Sequence, residues 1–148
     1  MKNKILLSLL LIGVIFITGC GGKEVSIRCE NKEFYEEEYG DKVKYSRIFE
    51  AKFRKNGYVS STKQLTIETA IDDETYDIIK GLEHEGAIVT YDDNKKNVTV
   101  LYDWNEIEEP SKNSNGDDLK VKAFVEIWEK NKYSCEITGA TREELNIK

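Results

Sequence analysis

Residues 5–17 form an apolar run broken only by Ser8 and Gly13, preceded by Lys2 and Lys4 and followed by Thr18-Gly19-Cys20. A positive start, an apolar middle and small residues before a cut are the three parts of a secretory signal. Thirteen residues are too few for a permanent span, because a helix needs roughly 20 to cross the bilayer core. The segment therefore decides how much chain is left to fold, and where. Removing residues 1–19 leaves 129 residues to fold outside the cytoplasm, enough for one core and one domain.

Ile17-Thr18-Gly19-Cys20 resembles the lipobox of bacterial lipoproteins. The resemblance implies that the signal is cut between Gly19 and Cys20, and that the Cys20 thiol carries diacylglycerol. Each buried methylene contributes about 0.8 kcal/mol, so two acyl chains hold a protein on a membrane where one does not. The expected organisation is a signal peptide over residues 1–19, a lipidated tether over 20–23 and a single extracytoplasmic α+β domain over 24–148. Only Gly21 and Gly22 separate Cys20 from Lys23 and the first strand-like residues. The domain is expected to sit close against the outer face of the cell membrane.

The signal takes Lys2 and Lys4 with it and no acid, so the net charge moves from −6 to −8. An acidic domain argues against nucleic acid as a partner, and against docking on anionic lipid by charge. The expected partners are the membrane, through lipid on Cys20, and a protein of the envelope.

With Cys20 assigned to lipid, Cys29 and Cys135 remain, an even pair in an oxidising compartment. They are read as one disulfide between the two ends of the domain. Redox chemistry is the weaker reading, because Cys-x-x-Cys is absent and no histidine flanks either thiol.

The pattern along the domain predicts an antiparallel sheet of two hairpins plus a short last strand, with two helices packed on one face. Val25, Ile27 and Cys29 alternate with Ser26 and Arg28 as a first strand. A turn signal at residues 39–42 leads into an alternating segment over 43–53, where Val43, Tyr45 and Arg47 share one face and the inward side is ambiguous. Asn56-Gly57 is the strongest hairpin signal, with residues 58–70 returning as the partner strand. Asp72-Asp73-Glu74 opens a helix over residues 73–84 with Gly86 as its stop.

Residues 86–92 and 97–104 form the second hairpin, with Val98, Val100, Tyr102 and Trp104 on one face. Residues 108–118 are polar and turn-rich, a loop. Residues 119–128 fit both strand and helix periodicity; Asp117-Asp118 as a cap and the Glu126/Lys130 pair favour helix. Residues 133–137 then bring Cys135 back toward Cys29, and the tail from Thr141 either frays or makes a short helical turn.

Four segments carry a further resemblance: Ile27-Arg28-Cys29; Gly40-Asp41-Lys42-Val43; residues 86–92 followed by Val98-Thr99-Val100; and residues 128–135, ending on Cys135. Their order resembles a group of small lipoproteins of unknown function from Gram-positive bacteria, related to the YehR-like lipoproteins. The resemblance implies an α+β domain, supports pairing Cys29 with Cys135 and implies no activity. In that group the last helix runs into a Gly-aromatic-x-Cys ending, and here Asn131-Lys132 stands where the glycine is expected.

Candidate chemistry is sparse. His84, the single histidine, begins a zinc-protease-like His84-Glu85 but Ala87 and Ile88 stand where the second histidine would be; it reads as a solvent-facing residue at a helix end. Asp92-Asp93-Asn94 lacks the spacing of a calcium loop and reads as a polar turn. The runs Glu36-Glu37-Glu38 and Asp72-Asp73-Glu74 lack any accompanying nucleophile. Asn97-Val98-Thr99 matches a glycosylation acceptor that a lipobox-directed route does not use. The eight tyrosines and two tryptophans read as core filling rather than a ligand groove.

No catalytic residue, metal ligand or cofactor is therefore assigned. The expected function is a noncatalytic binding or interaction module of the cell envelope. The alternative is a ligand-binding lipoprotein associated with a transporter.

Overall fold

A computed structural model describes residues 23–104 and 119–148. The expected signal, Gly19, Cys20, most of the tether and the expected loop over 108–118 lie outside the described residues. The elements in chain order are β1 (Val25–Tyr35), β2 (Val43–Phe53), β3 (Val59–Ala70), α1 (Asp73–Lys80), β4 (Ile88–Asp92), β5 (Asn97–Trp104), α2 (Val121–Lys130) and β6 (Ser134–Thr138). The six strands form one antiparallel sheet in the order β4-β5-β3-β2-β1-β6. The expected α+β architecture is therefore the observed one. Among the described residues no helix is long and apolar enough to cross a membrane.

Alternation determines which face is covered. Val25, Ile27 and Cys29 on β1, and Val43, Tyr45, Ala51 and Phe53 on β2, are all buried, so the odd-numbered side of both strands faces inward. Two helix-covered clusters result. At the end of the sheet where β1 begins, α2 supplies Phe124 and Val125 against Ile27, Cys29, Phe53 and Val59. At the opposite end α1 supplies Tyr76 and Ile79 against Val43, Tyr45, Val98 and Val100. Neither short helix is stable alone in water, so each is held by its buried stripe.

Local chemistry explains most boundaries. Gly57, at φ +85°, makes the β2–β3 turn expected of Asn56-Gly57, where the Gly57 N–H donates to the Arg54 carbonyl at 2.8 Å. Asp72 caps α1, its Oδ1 accepting the Thr75 N–H at 2.7 Å, as expected for acids at the positive end of a helix.

Several expectations are corrected. β1 runs on to Tyr35, past the expected end at Cys29, through an irregularity at Asn31–Phe34 where Glu33 adopts φ +58°. α1 ends at Lys80 rather than residue 84: Gly81, a poor helix former, stops it, and Gly86 at φ +77° instead shapes the approach to β4. α2 is capped by Lys120, whose backbone is extended because it bridges Tyr58; the expected caps Asp117 and Asp118 lie outside the described residues. Its ion pair joins Lys122 to Glu126 at 3.7 Å rather than Glu126 to Lys130. Where the glycine was expected, Lys132 takes the left-handed backbone at φ +68°, while the Asn131 side chain donates to the Ile127 carbonyl at 2.7 Å. The tail makes a turn that buries Leu145 and Ile147 in the α2 cluster.

Candidate functional site

The paired cysteines come first, because they join the sheet's edge to its interior. Cys29 on β1 and Cys135 on β6 are cross-strand partners, and their sulfurs are bonded. Cys29 has no solvent exposure. The bridge is structural in its surroundings, packed among Ile27, Val125 and neighbours.

Between the two clusters the covered face turns polar. Arg47 occupies an inward position of β2, and its cross-strand partner on β3 is Thr66. The Arg47 Nη2 donates to Glu36 Oε1 at 2.9 Å and its Nε to Thr66 Oγ1 at 3.2 Å. The guanidinium also lies 5.3 Å from the centre of the Phe34 ring. One step further along β3, Glu68 is only 7% exposed, and its Oε2 is buried without a hydrogen-bond partner. Burial pushes the Glu68 carboxyl above its ordinary value of 4.5, Glu36 pushes it the same way, and Arg47 opposes both. Burial and Glu68 also raise the Tyr45 phenol.

This group can hold a proton or a charge out of water, but it brings no nucleophile to the carboxyl. Sequence reasoning missed Arg47, Thr66 and Glu68 as a group. The one available signal was the ambiguity of residues 43–47, where an arginine shares the face of Val43 and Tyr45.

The other face of the sheet has no helix on it among the described residues. Cross-strand register places Ile48, Leu65, Leu101 and Ile88 in one row over β2, β3, β5 and β4. The first three are half-buried by one another and their neighbours, and Ile88 is 63% exposed. The next row toward the start of β1 reads Glu136, Arg28, Glu50, Lys63 and Asp103 over five strands, with charge alternating at every step. Arg28 pairs with Glu50, and Lys63 with Asp103 at 3.1 Å. Opposite charges placed directly across strands stabilise such a ladder by about 0.2–1 kcal/mol each. Four of the five charges in that row are thus paired within the sheet, whereas no helix among the described residues covers the aliphatic row.

The remaining candidates separate. Asp72 caps α1 while Glu36 binds Arg47, so the two acidic runs have different partners. Among the described residues no three His, Cys, Asp or Glu side chains are placed to hold a metal ion. Asp93 accepts the Tyr76 hydroxyl at 2.9 Å and Lys80 Nζ at 3.1 Å, and Asp92 accepts the Lys95 N–H, so the β4–β5 turn is a polar turn that ties the hairpin to α1. His84 departs from expectation: it lies beyond the shortened α1, half-buried, with Nε2 buried and without a partner. Most aromatic rings fill the core, Phe49 stacking on Trp128 at 3.7 Å. Trp104 instead stacks on Tyr102 at 5.4 Å and is 47% exposed, on the expected face but at its open end.

Compared with known proteins, the chain matches no protein-family model, no curated protein and no solved structure.

Proposed function

We propose that this protein is a lipid-anchored, extracytoplasmic interaction module without catalytic activity, held on the membrane through Cys20 and presenting the open face of its sheet to a protein of the envelope. The observation that carries the binding reading is the row Ile48, Leu65, Leu101 and Ile88 beside a ladder of paired charges. A dry apolar centre with a polar rim is the anatomy of a protein–protein contact. A partner that excludes water from four aliphatic side chains gains roughly 25 cal/mol per Å² of apolar surface covered. Lipid tails would bury the charged ladder together with the aliphatic row, so a protein surface fits this face better. The bridge between Cys29 and Cys135 agrees with an oxidising compartment.

Two measurements test the reading. Labelled fatty acid should enter the wild-type protein and not Cys20→Ala; equal labelling removes the anchor. A photo-crosslinking residue placed at Leu101 in intact cells should give one discrete adduct with another protein, while the same residue at Ile127 on α2 should not. Identical adduct patterns at the two positions remove the open face as the interaction surface.

A further inference from the structure

Asn56 and Gly57 lie in the β2–β3 turn, Asn56 exposed and Gly57 half-buried. The geometry points to Asn56 as a site of self-modification, where the chain converts its own asparagine to isoaspartate through the Gly57 nitrogen, with the turn as the gate.

The reaction needs only a free approach of that nitrogen and solvent water. Once the Gly57 N–H gives its proton to hydroxide, the nitrogen attacks Asn56 Cγ and a C–N bond closes a five-membered ring. The side-chain nitrogen leaves as ammonia, taking a proton from water. Water then opens the ring. Attack at the main-chain carbonyl carbon of Asn56 gives isoaspartate, whose backbone runs through the side-chain carbon, and attack at Cγ gives aspartate. No electrons are gained or lost. A side chain on the following residue crowds the nitrogen, and glycine has none. Only Asn56 and Asn115 precede a glycine in this chain, and Asn115 lies outside the described residues.

The turn engages both reacting groups. The Gly57 N–H donates to the Arg54 carbonyl at 2.8 Å, and Asn56 Oδ1 accepts the Tyr58 N–H at 3.1 Å. Ring closure has to break the first of these bonds, because the nitrogen must turn toward Cγ. The β4–β5 turn supplies a matched contrast. Asn94 is also exposed, and the Lys95 N–H after it also accepts a fixed partner, donating to Asp92 Oδ1 at 3.1 Å. Lys95, however, carries a side chain, so Asn94 is not a site.

Isoaspartate lengthens the main chain by one methylene between Asn56 and Gly57. The next links lead to α2. The Arg54 N–H donates to the Tyr58 carbonyl at 2.8 Å, Tyr58 bridges Lys120, and the Lys120 carbonyl accepts the Phe124 N–H at 3.0 Å in the first turn of the helix. Phe124 in turn packs edge-on against Phe53, the last residue of β2, at 5.6 Å. The added methylene therefore falls on the connection that sets the cap of α2, and the modified turn loosens the start of that helix.

The test incubates the full chain, folded and in urea, at mildly alkaline pH and follows each asparagine by peptide mapping with mass detection. In urea Asn56 and Asn115 should convert at similar rates. Folding should slow Asn56 about fivefold, the factor for breaking one hydrogen bond, while Asn94 stays intact in both states. Conversion of Asn94 as fast as Asn56 overturns the assignment, as does an Asn56 that stays intact in urea or, over many urea half-times, in the folded protein. Equal rates at Asn56 in the two states overturn the gate. The purified isoaspartate form is then compared with Asn56→Asp, which carries the same new charge on an ordinary backbone. It should melt about 4 °C lower, the shift for one lost hydrogen bond in a domain of this size, and exchange its Phe124 amide faster. Identical melting and exchange overturn the link to α2.

Discussion

Cys29 and Cys135 face each other directly across β1 and β6, with Cα atoms 4.0 Å apart and a sequence separation of 106. Among the described residues β6 pairs only with β1, so the bridge clamps an edge strand held by five residue pairs, the cysteines among them. In the chain-entropy account a closed loop of this size contributes roughly 4.7 kcal/mol by restricting the unfolded chain. The double variant Cys29→Ser, Cys135→Ser should therefore unfold at a clearly lower temperature while keeping its folded spectrum when cold. Calorimetry and circular dichroism check this; a double variant as stable as wild type removes the clamp.

Glu68 gives the protein a pH signature. Its carboxyl is raised in the folded state by burial, with Glu36 adding and Arg47 opposing. The sign follows from linkage: a raised carboxyl favours the folded state below its ordinary value of 4.5 and loses that contribution as pH rises through the folded value. Glu68→Gln keeps the shape and removes the titration. It should raise the unfolding midpoint at pH 7 by more than at pH 4, measured in matched buffers. An equal change at both values contradicts a Glu68 carboxyl raised by burial.

Gly139 closes β6 at φ +95°, and a Cβ there would run into the carbonyl oxygen of Glu24, just before β1. Gly139→Ala meets both backbone strain and an immovable neighbour. A loss of roughly 2–4 kcal/mol is expected from the sum of the two. Urea unfolding of the variant reads it directly, and a loss below about 0.5 kcal/mol, typical of plain surface sites, contradicts the close approach.

The two core clusters should act independently. Val100 is buried under α1, and Trp128 stacks on Phe49 under α2. Val100→Ala should destabilise by about 2 kcal/mol and Trp128→Ala by about 3 kcal/mol, within the usual range for large-to-small core changes. Arg47 and Thr66 lie between the clusters, so the double variant should show the sum within about 0.5 kcal/mol. A larger departure means that the polar strip transmits packing changes from one cluster to the other.

Local rules were enough for the strands and turns of this protein. Alternation at Val25, Ile27 and Cys29, the turn at Asn56-Gly57 and the cap at Asp72 each depend on residues within a few positions of one another, and each stands where the sequence placed it. The helical reading of α2 also held, but its cap did not, because Lys120 owes its extended backbone to Tyr58 on a distant segment. The end of β1 and the stop at Gly81 escaped notice for a related reason: β1 is prolonged by pairing with β2, and propensity alone does not choose between Gly81 and Gly86.

The surfaces that carry the functional argument were decided by tertiary structure. Which side of residues 43–53 faces inward depends on the helices that cover it, and that choice sets a half-buried Arg47 beside Glu36 and leaves Ile48 on the open face. The aliphatic row exists only because four strands, from residue 48 to residue 101, align in register. Sequence composition averages charge and hydrophobicity over the chain, whereas binding responds to what folding places within a few ångströms.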